Sequence, residues 1–248
     1  DRRHHSVVAA FEQGKLSLDE YLDEVVFHRP RGFTQVEFTV FMKKQSVASD
    51  DVIQLARSLA GTGRYRVMTL NNESTELNEY RLKHFRLTEF CAAFFSSCFL
   101  GVSKPDSAIY EMALTLSQAE AKRSVFVDDR EENLAPARAL GMTGIRFTAA
   151  PALTADLVRL PLVGNLARPA RQDGRNVPRH GGQQVAEHER RRAATDLVHL
   201  LVELAVKLAL HGNGHGQVLE GVRQRAGSDP ERLLRNEPDH LRQDLAPH

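Results

Sequence analysis

Hydrophobic residues in the first part of the chain recur at the three- and four-residue spacing of helices, and polar capping sequences precede them. Residues 17–20 and 34–37 both have the Ser/Thr-x-x-Glu pattern that satisfies free amide groups at a helix start. A third apolar set follows Ser49 and ends at a turn that begins with Gly61. No strand pattern separates these segments. The sequence therefore predicts three helices that form a small helical bundle.

Beyond Gly63 the pattern changes to short apolar runs separated by helical segments. Strands are predicted at residues 65–70, 94–95, 124–127 and 143–147. Because strands that alternate with helices pair in parallel, the predicted fold class is α/β with a parallel sheet. The chemistry of such sheets collects at the carboxyl ends of the strands. Asn71 and Asp128 lie at two of these predicted ends.

Composition divides the chain near residue 148. All 16 aromatic residues lie between Phe11 and Phe147, and a core of normal packing density needs such large side chains. We therefore predict a helical domain over residues 1–62, an α/β core over residues 63–158 and an unassigned, largely disordered tail over residues 159–248. A change of reading frame after residues 150–165 is one hypothesis for the origin of this tail.

One segment of the tail has a clear helical pattern. Within residues 193–210 a narrow polar stripe at three- and four-residue steps is formed by Asp196, His199, Glu203 and Lys207. The sequence predicts a helix here that packs on the domain or mediates self-association, since the stripe is too narrow and not basic enough for a membrane surface. Residues 168–192 are rich in Arg, Gly, Gln and His and are predicted to be a disordered linker.

Charge and cysteine content exclude several classes of protein. The formal net charge is +1, so nothing favours nucleic acid or an acidic membrane as a partner. No uncharged apolar run is long enough to span a bilayer. The two cysteines, Cys91 and Cys98, cannot form a disulfide scaffold and are typical of a reducing compartment. We therefore expect a cytoplasmic protein that binds neither nucleic acid nor membrane.

Three polar motifs lie at predicted strand or helix ends: Asn71-Asn72, Lys104-Pro105-Asp106 and Asp128-Asp129. Two adjacent carboxylates need a positive partner, which a hard cation with oxygen ligands or the Lys104 ammonium would supply. Each motif alone is more often a turn or a helix cap. Together and in this order they indicate a site for a cation and an anion such as phosphate, which suits phosphoryl transfer.

These motifs resemble those of the haloacid dehalogenase (HAD) superfamily of hydrolases, in subfamily IA, which has a helical cap inserted after the first strand. The chain is similar in particular to the phosphatase-like domain of some epoxide hydrolases. The resemblance rests on residues 70–72, 101–106 and 125–142, and it extends over residues 6–158. It implies a Rossmann-like parallel sheet with a small cap, over residues 6–60, that shields the site and selects the substrate.

The resemblance also implies the residues that hold the metal ion and neutralise charge. Asp128 and Asp129 match the acidic pair that holds Mg²⁺ directly or through water. Lys104 matches the lysine that stabilises the negative charge on the nucleophile and the phosphoryl group. The implied cofactor is therefore Mg²⁺, and the implied partner is a small phosphorylated metabolite.

Three asparagines complete the implied site. Asn71 stands where the family usually has Ser or Thr as a phosphate donor, with Asn72 beside it, and an amide can donate the same hydrogen bond. Asn133 closes the last motif and is expected to fix its loop. The implied activity is that of a Mg²⁺-dependent phosphatase, which hydrolyses a phosphate ester through an aspartyl-phosphate intermediate.

The family's first motif, an Asp-x-Asp at the end of the central strand, does not occur in the 248 residues. Its two aspartates supply the nucleophile and the general acid/base. We therefore expect the chain to be a fragment whose sheet lacks the first, central strand. The same reasoning predicts that the chain is inactive as given.

Three other kinds of protein share parts of this pattern. A metal-independent haloacid dehalogenase lacks the paired acids, so Asp128 and Asp129 favour the phosphatase. A phospho-acceptor receiver domain has its acids early and its lysine late, whereas Lys104 precedes Asp128. A non-catalytic HAD-fold scaffold or binding protein stays open, because the nucleophile motif is missing.

Overall fold

The computed structural model describes residues 2–160 and 198–202 of the chain. These residues form two compact units, the first made of residues 2–8 and 16–47 and the second of residues 9–15, 48–160 and 198–202. Helix α1 (Arg2–Glu12) contributes its first residues to the first unit and its last residues to the second. No helix in the described ranges is long and apolar enough to cross a membrane.

Two helices with complete capping boxes organise the first unit: α2 spans Leu18–Val25 and α3 spans Gln35–Lys44. At the start of α2, the Glu20 N–H donates to the Ser17 hydroxyl and the Ser17 N–H donates to the Glu20 carboxylate. Three aromatic rings, those of Phe27, Phe33 and Phe38, pack on one another. The capping patterns thus predicted both helix starts correctly.

A five-stranded parallel sheet with flanking helices forms the second unit. Its strands are β1 (Tyr65–Asn71), β2 (Ala93–Ser96), β3 (Ser124–Asp128), β4 (Thr143–Arg146) and β5 (Val198–Val202). Its helices are α4 (Asp50–Gly61), α5 (Thr75–His84), α6 (Ser97–Leu100), α7 (Ser107–Ser117), α8 (Glu131–Ala139) and α9 (Ala150–Arg159), with short 3-10 helices at Leu87–Glu89 and Ala121–Arg123. The strand order is β2-β1-β5-β3-β4, and every pairing is parallel. The predicted α/β fold with a Rossmann-like sheet is confirmed.

Strand β5 corrects two expectations about the tail and the sheet. The helix predicted over residues 193–210 is wrong at residues 198–202, which form a strand paired with β1 on one side and β3 on the other. The central position of the sheet is therefore filled and not missing. A short apolar run that is buried on both faces of a parallel sheet cannot be told from a helix by periodicity alone. The other residues of the predicted helix, and the predicted linker, lie outside the described residues.

Helix α4 packs against the sheet, whereas the sequence pattern placed it in a bundle with the two earlier helices. Its residues Ala56 and Leu59 belong to the same buried apolar cluster as Tyr65 and Val67 of β1. The apolar stripe of a helix packs against an apolar surface, and β1 offers that surface here. The helix itself begins and ends close to the predicted positions.

Strand β3 crosses the middle of the second unit, and all five of its residues are buried. Val125 and Val127 belong to the apolar cluster on one face of the sheet, and Phe126 belongs to the cluster on the other face. Leu200 and Leu201 of β5 also divide between the two clusters. The sheet is thus covered on both sides, and its carboxyl edge is where polar residues follow the strands.

Candidate functional site

A buried ion pair at the carboxyl end of β3 is the centre of the candidate site. The Lys104 Nζ lies 2.7 Å from Oδ2 of Asp128, and the side chains are 1% and 0% exposed. The Lys104 ammonium also lies 5.4 Å from the centre of the Phe126 ring. The loop before α7 and the end of β3 are thus joined by one charge pair, as the order of the motifs predicted.

Neighbouring groups hold the Asp128 carboxylate on both of its oxygens. The Asn133 side-chain amide donates to Oδ1 at 3.1 Å and to Oδ2 at 3.0 Å, and the Arg130 N–H donates to Oδ1 at 2.8 Å. Asn133 is itself buried, and its main-chain oxygen accepts a 2.7 Å hydrogen bond from the Tyr110 hydroxyl. These contacts fit the structuring role expected of Asn133, which acts on Asp128.

The Asn72 carboxamide holds the main chain of Lys104. The Lys104 N–H donates to Oδ1 of Asn72 at 2.8 Å, and the Asn72 amide donates to the Lys104 carbonyl oxygen at 2.9 Å. Because both backbone groups of one residue are bonded to one side chain, the turn after β1 fixes the position of Lys104. The sequence had suggested only a phosphate contact for Asn72.

The Asn71 carboxamide lies in a buried polar network. Its Oδ1 accepts a 2.8 Å hydrogen bond from the Ser96 hydroxyl, and its amide donates to the Glu73 carboxylate at 3.0 Å. Glu73 in turn forms a buried ion pair with Arg81 of α5. Both ends of the Asn71 side chain thus bind neighbouring elements of the fold. Sequence reasoning missed Glu73 and Arg81, since one charged residue after a motif and one on a helix give no distinctive signal.

The two adjacent acids differ in their surroundings, which bears on a magnesium site. Asp128 is buried and bonded to Lys104, Asn133 and Arg130, whereas Asp129 is exposed. Carboxylate oxygens are the ligands that Mg²⁺ prefers. Within residues 2–160 and 198–202 no group of three His, Cys, Asp or Glu side chains could hold a metal ion. Asp128 and Asp129 thus offer two carboxylates for a magnesium ion, and any further ligands would come from other groups.

Glu12, the last residue of α1, carries a half-buried carboxyl group. The Ser97 hydroxyl donates a 2.5 Å hydrogen bond to the Glu12 main-chain oxygen. Burial raises the pKa of the Glu12 carboxyl above its ordinary value, while the positive charges of Arg130 and Lys104 act in the opposite direction. Sequence reasoning missed Glu12, because it lies far before the first polar motif and no pattern marks it.

Neither cysteine is suited to nucleophilic chemistry. Burial raises the pKa of the Cys91 thiol to about 12, and it also raises the pKa of the Cys98 thiol. The thiolate is the reactive form of cysteine, and burial disfavours that form at both positions. The chemistry of the candidate site therefore rests on the charged groups around Asp128 rather than on a thiol.

Comparison with known proteins agrees with the α/β fold and with the family resemblance. The family model of haloacid dehalogenase-like hydrolases matches residues 2–141, more than half of the chain. The sesquiterpene phosphatase astK of Aspergillus oryzae is 28% identical over 151 residues, which are 60% of this chain and 76% of that protein.

Solved structures of a HAD family enzyme, bt-2542 from Bacteroides thetaiotaomicron, have a similar fold. One has a TM-score of 0.52 at 18% identity and covers 60% of this chain and 75% of its own. Its magnesium complex has a TM-score of 0.51 at 19% identity and covers 61% of this chain and 78% of its own. With the family match over residues 2–141, the chain belongs to the haloacid dehalogenase-like hydrolases.

Proposed function

We propose that the protein is a phosphatase of the haloacid dehalogenase-like family and that its substrate is a small phosphate ester. The observation that carries this proposal is the buried Lys104–Asp128 pair, held at 2.7 Å at the carboxyl edge of the sheet beside a second acid, Asp129. A metal-independent dehalogenase has no use for that second acid. Similarity to the sesquiterpene phosphatase adds support and suggests an apolar phosphate monoester as a substrate to test.

In this proposal each polar residue of the site has a separate task. Lys104 neutralises the phosphoryl group, because its ammonium is a compact charge that an incoming anion can share with Asp128. Asp128 and Asp129 hold Mg²⁺, and when bound the ion supplies further neutralisation of phosphoryl charge. Asn133 keeps Asp128 in place.

The two asparagines after β1 act mainly on their neighbours in this proposal. Asn72 keeps Lys104 in place through the two hydrogen bonds to its main chain. Asn71 stands at the phosphate-donor position, and its bonds to Ser96 and Glu73 give it a second task as a link between β1 and β2. Any phosphate contact from Asn71 or Asn72 is thus made by side chains that the fold already orients.

Turnover through an aspartyl-phosphate intermediate needs an aspartate nucleophile, and the 248 residues contain no Asp-x-Asp sequence. We therefore propose that this polypeptide binds phosphate but does not hydrolyse its esters. A variant whose sheet carries an apolar strand with an Asp-x-Asp end in the place of β5, between β1 and β3, should give Mg²⁺-dependent turnover. Measurable turnover of p-nitrophenyl phosphate by the 248 residues alone would contradict the proposal that this polypeptide does not hydrolyse phosphate esters.

Phosphate binding tests the site independently of turnover. In calorimetric titrations with inorganic phosphate and Mg²⁺, we expect Lys104→Met to weaken binding by about tenfold or more, because a charge-assisted contact is lost. The matched control is Lys122→Met, since the Lys122 side chain is 81% exposed and lies before β3. Equal affinities for the wild type and Lys104→Met would overturn the proposed function. If a sesquiterpenyl phosphate binds no more tightly than inorganic phosphate, the suggestion of an apolar substrate is wrong.

A further inference from the structure

The Tyr110 side chain of α7 is the largest fully buried side chain in the described ranges. Its hydroxyl donates a 2.7 Å hydrogen bond to the main-chain oxygen of Asn133 in α8. Burying a hydroxyl is costly unless it has a hydrogen-bond partner, and a phenylalanine would fill nearly the same volume without that cost. The Tyr110 hydroxyl therefore matters for what it binds, which is a residue of the candidate site.

The hydrogen bond from Tyr110 reaches the Asp128 carboxylate in one further step. Asn133 lies in the first turn of α8, and its side-chain amide donates to Oδ1 of Asp128 at 3.1 Å and to Oδ2 at 3.0 Å. Both residues are buried, so water has little access to these bonds. Because the hydroxyl binds the main chain of the residue whose amide holds the carboxylate, α7 helps to fix where both oxygens of Asp128 lie.

The Tyr110 ring leads to the other member of the ion pair, Lys104. It packs edge-to-face on the Phe126 ring of β3, with the ring centres 5.3 Å apart and the ring planes at 83°. The Lys104 ammonium lies 5.4 Å from the centre of the same Phe126 ring, and its Nζ lies 2.7 Å from Oδ2 of Asp128. Tyr110 thus contacts a neighbour of each charged group, with its hydroxyl leading to Asp128 and its ring to Lys104.

We propose that Tyr110 is a positioning residue of the magnesium site and that its hydroxyl orients the Asp128 carboxylate through Asn133. The inference rests on the proposed function, in which Asp128 is a ligand of the metal ion. Groups that hydrogen-bond to metal-binding carboxylates fix their orientation and so raise the affinity for the metal. Tyr110 acts one hydrogen bond further out than Asn133, so its effect on the affinity is the smaller of the two.

The test is the affinity for Mg²⁺, measured by calorimetry with the full 248-residue chain. We expect Tyr110→Phe to bind Mg²⁺ about threefold or more weakly than the wild type, because the hydrogen bond to Asn133 is lost while the ring keeps its packing on Phe126. The matched control is Tyr65→Phe, which removes the hydroxyl of another buried tyrosine, at the amino end of β1. Its Mg²⁺ affinity should equal that of the wild type.

A double-mutant cycle with Asn133→Ala separates positioning from a general structural role. Asn133→Ala should lose more Mg²⁺ affinity than Tyr110→Phe, and adding Tyr110→Phe to it should change the affinity little, because the amide that transmits the effect is gone. Wild-type affinity in Tyr110→Phe, or the same loss in both backgrounds, would overturn the inference. Either result leaves the proposed function standing if Lys104→Met still weakens phosphate binding. If the wild type does not bind Mg²⁺, the magnesium site of the proposed function fails, and the inference fails with it.

Discussion

Two buried ion pairs lie at the carboxyl edge of the sheet, and they join different parts of the chain. Glu73 and Arg81 belong to the turn after β1 and to α5, and their side chains are 7% and 6% exposed. Lys104 and Asp128 belong to the loop before α7 and to the end of β3, and their side chains are 1% and 0% exposed. The first pair fastens a helix to the strand before it, whereas the second connects two distant motifs.

The two pairs also differ in the kind of cation and in what positions it. Arg81 carries a planar guanidinium, which makes hydrogen bonds in fixed directions. Lys104 carries a compact charge, and Asn72 fixes its main chain while Asn133 fixes its partner Asp128. Burial alone therefore does not identify a functional ion pair. A functional ion pair is better recognised by a cation that side chains from other elements hold in position and whose charge can also be shared with a ligand.

Arg81→Met is expected to have the largest effect on stability. It leaves Glu73 buried without its cation, which costs about 3–5 kcal/mol for such pairs. Urea unfolding should therefore show a much lower free energy of unfolding, and phosphate binding should persist wherever the variant is folded. The double variant Glu73→Met/Arg81→Met should recover much of the loss. If Arg81→Met were as stable as the wild type, the Glu73–Arg81 pair would not stabilise the fold, and the difference between the two ion pairs would disappear.

Asn72→Ala should have a smaller effect on stability and a clear effect on the site. It removes two hydrogen bonds to the Lys104 main chain, worth about 1–2 kcal/mol in the free energy of unfolding. It should also weaken phosphate binding, because Lys104 is no longer held beside Asp128. Asn72→Asp keeps the acceptor for the Lys104 N–H and should bind phosphate better than Asn72→Ala. Equal phosphate affinity in the wild type and Asn72→Ala would show that Lys104 needs no such support.

The carboxyl edge was largely predictable from the sequence, since its strands and motifs have strong local patterns. The apolar run of β3 ends directly at Asp128, and the pairing with Lys104 follows from parallel strand order. The side-chain partners were not predictable. An Asn-Asn sequence after a strand does not reveal that Asn72 binds the Lys104 main chain, because that contact depends on how two distant loops approach each other.

The middle of the sheet was less predictable than its edge. Residues 198–202 follow a long polar segment, and Leu200 and Leu201 are buried on opposite faces of the sheet. Consecutive apolar residues with one histidine fit a helix as well as a strand, so tertiary pairing with β1 and β3 decided the outcome. The hydrogen bond from Ser97 to the Glu12 main-chain oxygen was missed for a similar reason, since it joins residues that are far apart in the sequence.

The amino end of the sheet contains a third buried ionisable group, the imidazole of His199. In contrast to Arg81 and Lys104, it has no carboxylate partner within the described ranges. His199 is buried, and its Nδ1 has no hydrogen-bond partner in the described ranges. Burial lowers the pKa of His199 below its ordinary value of 6.5, as do the charges of Arg66 and Arg123, against a smaller opposite effect of Glu120. Below pH 6.5 the unfolded chain therefore binds a proton that the folded chain does not. The free energy of unfolding consequently decreases as the pH is lowered.

His199→Gln is expected to flatten this fall. The free energy of unfolding, measured by urea titration at several pH values from 7.5 to 5.5, should decrease less in the variant than in the wild type. Above pH 7 the two slopes should agree, because His199 is neutral in both states there. His84→Gln is a control at an exposed histidine on α5. If the wild type and His199→Gln lose stability equally as the pH falls, His199 does not titrate as its surroundings require.

Asp129→Ala is expected to have the smallest effect on stability and sharpens the contrast with its buried neighbour Asp128. Asp129 is exposed, and exposed substitutions usually change the free energy of unfolding by less than about 0.5 kcal/mol. If Asp129 holds Mg²⁺ with Asp128, calorimetry should show that the variant no longer binds the ion. Asp106 cannot serve as the control position because it caps α7. The control is Asp156→Ala on α9, where the side chain is 44% exposed, and this variant should bind Mg²⁺ as the wild type does. Unchanged Mg²⁺ affinity in Asp129→Ala would mean that the second acid is not a ligand, and the preference for a phosphatase over a dehalogenase would then lose its main support.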